Sequence, residues 1–71
     1  MTTIIVDNIH RRTSRQDIIN LFGDYGNLFY VHLSHGRAVI TYEHFQDAID
    51  AMIDVDGQPL DGNVLHVNFA N

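Results

Sequence analysis

The stretch HGRAVITY, His35–Tyr42, decides how this chain folds. It opens on a glycine that can take positive φ. It then runs through β-branched and aromatic residues in alternation, the pattern of a strand leaving a tight turn. Ala38, Ile40 and Tyr42 make one row; Arg37, Val39 and Thr41 make the other. Successive side chains of a strand point to opposite faces. The first row is expected in a core, and the second needs another use.

Upstream, NLFYVHL (residues 27–33) also alternates, with Leu28, Val31 and Leu33 as core candidates and Phe29 disturbing the register. The connection SHG predicts a hairpin, because Gly36 can take φ > 0. Before it, TTIIV (residues 2–6) is a short β-branched run, read as a strand. The polar HRRTS leads into a helix to Phe22, with Ile18, Leu21 and Phe22 on one face and Gly23 as its stop. Two capping boxes fit its start, Ser14 with Asp17 or Thr13 with Gln16. Downstream, HFQDAIDAMIDV (residues 44–55) has helical spacing. Ala48, Ala51, Met52 and Val55 line one face, and Asp47, Asp50 and Asp54 line another, solvated one. DGQPLDGN is turn-rich. VLHVNF (residues 64–69) closes the chain as a strand with Leu65, Val67 and Phe69 opposite His66 and Asn68. Phe22, Tyr42, Phe45 and Phe69 are expected in the core or at its edge.

The order is β-α-β-β-α-β, an α+β class of ferredoxin-like form: a four-stranded antiparallel sheet with two helices on one face. The other face stays free. By alternation it collects Thr3, Ile5 and Asp7, then Tyr30 and His32, then Arg37, Val39 and Thr41, then His66 and Asn68. An open sheet face of this kind suits binding, whereas small-molecule chemistry uses concave sites.

With 71 residues the chain holds one domain, over residues 1–71, expected to be part of a longer protein. It has no cysteine, so it has no disulfide framework and no thiolate metal site. No apolar run approaches the roughly 20 residues that span a bilayer. The expectation is an intracellular domain, nuclear with the cytoplasm as alternative, monomeric and without a membrane partner. The net charge of −5 is uneven. All four cations, Arg11, Arg12, Arg15 and Arg37, lie in the first 42 residues. Residues 43–71 hold Glu43, Asp47, Asp50, Asp54, Asp56 and Asp61 with no lysine or arginine. Such a chain lacks the general positive field that gathers nucleic acid, so any such contact must be local to the first half.

Catalytic chemistry finds no support. The five histidines (His10, His32, His35, His44 and His66) lack metal-ligand spacing. Ser34 beside His35 has no orienting third group. No paired carboxylates, phosphate loop or cofactor fingerprint occurs, so no enzyme activity and no cofactor are expected.

Over its whole length the chain resembles an RNA recognition motif. IIVDNI (residues 4–9) stands at the family's hexamer, keeping Ile4, Val6, Asn8 and Ile9. HGRAVITY stands at its octamer, keeping Gly36, Ala38, Ile40 and Tyr42. DIINLFGDYGNL and DAIDAMIDVDGQPLDG are similar to the family too. The tail and the short SHG hairpin are most similar to the RNA-binding domains of serine/arginine-rich splicing proteins. The resemblance implies single-stranded RNA as ligand, and the nucleus and mRNA processing as setting. It also implies exposed rings that stack on bases. Here those ring positions are Ile5, Arg37 and Val39, and the basic residue that opens the octamer is His35. The expected binding is weak or atypical, through Tyr30, His32, Arg37, His66 and Asn68 on the sheet with Ile5 and Val39 between them. Asn8, His35 and Asn71 lie at its margins, and Arg11, Arg12 and Arg15 are placed to take phosphates. Binding is expected to strengthen as histidines gain charge near pH 6. For Asn8 a structural role at the end of the first strand is the competing reading. For the arginines and histidines it is plain surface exposure. The alternative function is a protein-interaction module, in a ribonucleoprotein or splicing complex, using the sheet or the acidic second helix.

Overall fold

The computed structural model describes residues Met1–Asn71. In chain order the elements are β1 (Thr2–Asp7), α1 (Arg15–Gly23), β2 (Leu28–Ser34), β3 (Arg37–Tyr42), α2 (Phe45–Val55), β4 (Pro59–Leu60), β5 (Asn63–Val64) and β6 (His66–Phe69). The main sheet has four strands in the order β2-β3-β1-β6, every pair antiparallel. This is the expected α+β arrangement. The short pair β4–β5 is an addition. The turn-rich DGQPLDGN folds into a hairpin whose arms are too short to show alternation.

Both hairpins close on two residues of positive φ, His35 and Gly36 in one, Asp61 and Gly62 in the other. Two central residues with φ > 0 match the right-handed twist of the flanking strands, and Asp-Gly is a favoured pair for it. Gly36 carries a second duty. Its carbonyl accepts from the Ile9 N–H at 3.0 Å, clasping the hairpin tip to the chain leaving β1. A Cβ on Gly36 would meet the Ile9 carbonyl oxygen at 3.2 Å.

Of the two capping boxes compatible with the start of α1, the Ser14–Asp17 pair forms. Ser14 Oγ accepts from the Asp17 N–H at 3.0 Å, and Asp17 Oδ2 accepts from the Ser14 N–H at 3.0 Å. Thr13 takes another role. It is buried and its hydroxyl donates to Asp61 Oδ2 at 2.6 Å, tying the start of α1 to the β4–β5 turn.

The core lies between one face of the sheet and the two helices. Ile4, Val6, Val31, Ala38, Ile40 and Val67 come from the sheet, and Ile18, Phe22, Ala48, Ala51 and Val55 from the helices. Tyr42 is fully buried, and its hydroxyl donates to the Phe22 carbonyl at 2.6 Å, so its polar atom is satisfied. Burial pushes its phenol well above the ordinary tyrosine value. Of the four rings expected in the core or at its edge, Phe45 departs, being 60 % exposed, while Phe69 lies at the edge, at 38 %. They stack on each other, with ring centroids 6.2 Å apart, where the first turn of α2 meets the end of β6. The first residue of a helix and the last of a strand both lie where the layers diverge. The core there is too thin to cover a large ring.

Candidate nucleic-acid interface

The free sheet face is ordered by strand register into three rows. In the middle row His32 lies opposite Val39, Val39 opposite Ile5, and Ile5 opposite Asn68. On one side of it Tyr30 lies opposite Thr41, and Thr41 opposite Thr3. Thr3 and Thr41 share a hydroxyl hydrogen bond of 2.8 Å. On the other side Ser34 lies opposite Arg37, and Asp7 opposite His66. The register therefore brings Ile5, Tyr30, His32, Arg37, Val39, His66 and Asn68 onto one surface, as alternation required.

Arg37 and Asp7 bridge the third row. Arg37 Nε reaches Asp7 Oδ1 at 2.6 Å and a terminal nitrogen reaches Oδ2 at 3.2 Å, a bidentate fork on a carboxylate. These hydrogen bonds, then the carboxylate charge, raise the Arg37 pKa above its ordinary value. The face's one arginine thus comes with its counter-charge. Its side chain remains 61 % exposed, so the guanidinium plane is open while one of its edges is occupied. Sequence reasoning put Asp7 on this face but gave it no role. The signal was available: Asp7 and Arg37 fall at the same end of neighbouring, oppositely directed strands.

Asn8 is committed elsewhere. Its backbone is left-handed (φ 67), its side-chain amide donates to the Val64 carbonyl at 2.8 Å, and its own carbonyl accepts from the Asn63 amide at 3.1 Å. This reciprocal clip joins the end of β1 to β5. Arg11 and Arg12 occupy an exposed turn after β1, and the Arg12 N–H donates to His10 Nδ1 at 3.0 Å. Arg11 shares a cleft of about 420 Å³ with His10, Ser34, His35 and Gly36, so the first loop and the hairpin tip meet. His35 Nδ1 lies 2.8 Å from Ser34 Oγ. Arg15 parts from the other two: its Nε donates to the Val31 carbonyl at 3.3 Å, along the β2 edge. There it lines a cleft with Ile19, Phe29 and Tyr30. Phe29 is 64 % exposed because a bulge between Leu28 and Tyr30 shifts the register. Sequence reading saw the disturbed alternation there but not the exposed ring that it yields.

With this geometry in place, the comparisons are decisive for the family. The family model described as RNA recognition motif matches residues 4–66. The chain belongs to the RNA recognition motif family. This is a family of nucleic-acid-binding domains. The chain is 33 % identical over 78 residues to human serine/arginine-rich splicing factor 8, covering 99 % of this chain and 28 % of that protein. It is 31 % identical over 75 residues to RNA-binding protein Y14 of Arabidopsis thaliana, covering 94 % and 37 %. The RNA recognition motif of Puf1 from S. pombe superposes with a TM-score of 0.91 at 26 % identity, covering 99 % of this chain and 97 % of that one. The chain spans well under half the length of the two curated relatives. Within this RNA recognition motif the three ring positions that the sequence resemblance identified are filled by Ile5, Arg37 and Val39. Ile5 and Val39 are direct partners in register and form an aliphatic centre flanked by polar groups.

Proposed function

We propose that this domain binds single-stranded RNA on its open sheet face, reading it with polar and cationic groups around an aliphatic centre instead of with stacked rings. The observation that carries this reading is the middle row and its flank: His32, Asn68, His66 and the exposed Arg37 plane surround Ile5 and Val39 on a face that no helix covers. Arginine planes stack on bases as aromatic rings do, and asparagine and histidine bond base edges. Arg11 and Arg12, at the margin of the sheet, supply phosphate contacts that position the strand. Base–aromatic stacking is worth about 1–3 kcal/mol per base. A face without rings at the three usual positions therefore binds more weakly than a fully aromatic one. Similarity to a splicing factor and to RNA-binding protein Y14 supports a place in mRNA processing, in the nucleus, as one domain of a longer protein.

The test is an amide-shift titration of the isotope-labelled domain with a degenerate single-stranded RNA pool at low salt. Shifts at Ile5, Tyr30, His32, Arg37, Val39 and His66 are expected. Shifts confined to Arg11 and Arg12 would reduce the interaction to bare phosphate attraction. A flat titration at millimolar RNA would overturn the proposal.

A further inference from the structure

The largest concavity of the molecule is on the helical side, about 580 Å³, within the range of ligand sites. Leu21 and Tyr25 at the end of α1, Ile53 and Asp54 at the end of α2, and Pro59 and Leu60 of β4 line it. Ile53 is 70 % exposed at its rim. An exposed isoleucine alone is ordinary. Here it adjoins an open apolar groove.

The electrostatics of this groove are one-sided. Both helices end at it, and a helix C-terminus carries the negative end of the backbone dipole. Cations normally occupy the last turn, yet neither helix has one there. Carboxylates stand in their place: Asp54, in the last turn of α2, lines the groove, and Asp24 caps α1 next to Tyr25, whereas Asp56, which caps α2, accepts from the Val67 N–H at 2.9 Å. Asp54 and Asp24 converge on the Tyr25 phenol, which burial first and then these two charges hold protonated above the ordinary tyrosine value. No cation of the chain answers them. Arg37 pairs with Asp7 on the opposite face, Arg15 starts α1 at its far end, and Arg11 and Arg12 precede it.

We propose that this groove binds a cationic peptide segment of a partner protein. One apolar side chain of the segment lies over Leu21, Ile53 and Leu60, and flanking arginines or lysines engage Asp24, Asp54 and the two helix ends. The apolar lining supplies hydrophobic burial, and the unanswered negative charge selects a basic sequence around it. The groove is on the opposite side of the sheet from the RNA face, so the two ligands do not compete.

The probe is an end-capped heptapeptide of sequence Gly-Arg-Arg-Leu-Arg-Arg-Gly, titrated into the isotope-labelled domain. Saturable shifts at Leu21, Tyr25, Ile53, Asp54 and Leu60, with Ile5 and Val39 unmoved, are expected. The same peptide with alanine in place of leucine is expected to bind about fivefold or more weakly, since it forfeits the buried apolar area. Ile53→Ser and Asp54→Asn should each weaken binding without unfolding the domain, as an unchanged spread of amide shifts elsewhere would show, because both side chains are exposed. Equal affinity for the alanine peptide, shifts on the sheet face instead, or no saturation at millimolar peptide would each overturn the proposal.

Discussion

At the scale of single residues, two side chains carry more structure than their types suggest. Asn8 holds a left-handed backbone and fastens β1 to β5 through the Val64 carbonyl. A left-handed residue other than glycine costs roughly 1–2 kcal/mol, and asparagine tolerates it best. Asn8→Ala is therefore expected to lower stability by about 2–3 kcal/mol in urea denaturation, from the conformation and the lost hydrogen bond together. Asn8→Gly, which keeps the conformation, should lose less. Tyr42 is the second. Its folded-state pKa lies above that of the unfolded chain. Its contribution is then fully present below about pH 10, the unfolded tyrosine value, and is lost as pH rises through the folded one. Thermal melts should hold up to about pH 9 and decline above pH 10. Tyr42→Phe should cost about 1 kcal/mol at neutral pH, since the Phe22 carbonyl loses its donor, and should flatten the alkaline decline.

At the scale of elements, local chemistry decides ends and register decides faces. The capping box on α1 closes with Asp17, and Ser14→Ala is expected to cost about 1 kcal/mol in a chemical melt. The strand rows predict how the face works. Arg37 is held by Asp7 across the third row, so the two substitutions should act oppositely on RNA affinity. Arg37→Ala should weaken binding by about tenfold, a loss of about 1.4 kcal/mol typical of a charged contact. Asp7→Asn, which leaves the guanidinium uncompensated, should strengthen it. Fluorescence anisotropy with a labelled RNA oligonucleotide measures both. Loss of affinity in Asp7→Asn would mean that the fork orients Arg37 more than it neutralises it.

At the scale of the whole molecule, charge is divided by position. The first 42 residues carry every arginine, while residues 43–71 carry six carboxylates and no cation. RNA binding on the sheet face, as proposed, must therefore work without a broad positive field. With Arg11 and Arg12 as its phosphate contacts, log affinity against log salt should fall with a slope of about −1.4, at roughly −0.7 per phosphate for single strands. The double variant Arg11→Ala, Arg12→Ala should bring that slope close to zero. A slope steeper than about −3 would show that more cations engage than this turn supplies.

Much of this was legible beforehand, and each part for a definite reason. The β-branched run at Thr2–Val6, the period-two run at Arg37–Tyr42, and helical spacing through Ala48, Ala51 and Val55 are local properties that repeat over several residues. Their order determined the βαββαβ topology, and alternation named the rows of the open face. The β4–β5 hairpin escaped because two-residue arms carry no period. Phe45 escapes the core because apolar character predicts burial only where a second layer extends far enough to provide it. The Arg37–Asp7 fork, the Asn8–Val64 clip and the groove between the helix ends join residues 30, 56 and 28 or more positions apart, respectively. A sequence specifies such contacts only through the packed fold. The composition of each element was therefore set locally, while the partner that each functional side chain meets was decided by tertiary structure, because hydrogen bonds and ion pairs depend on distances that only packing creates.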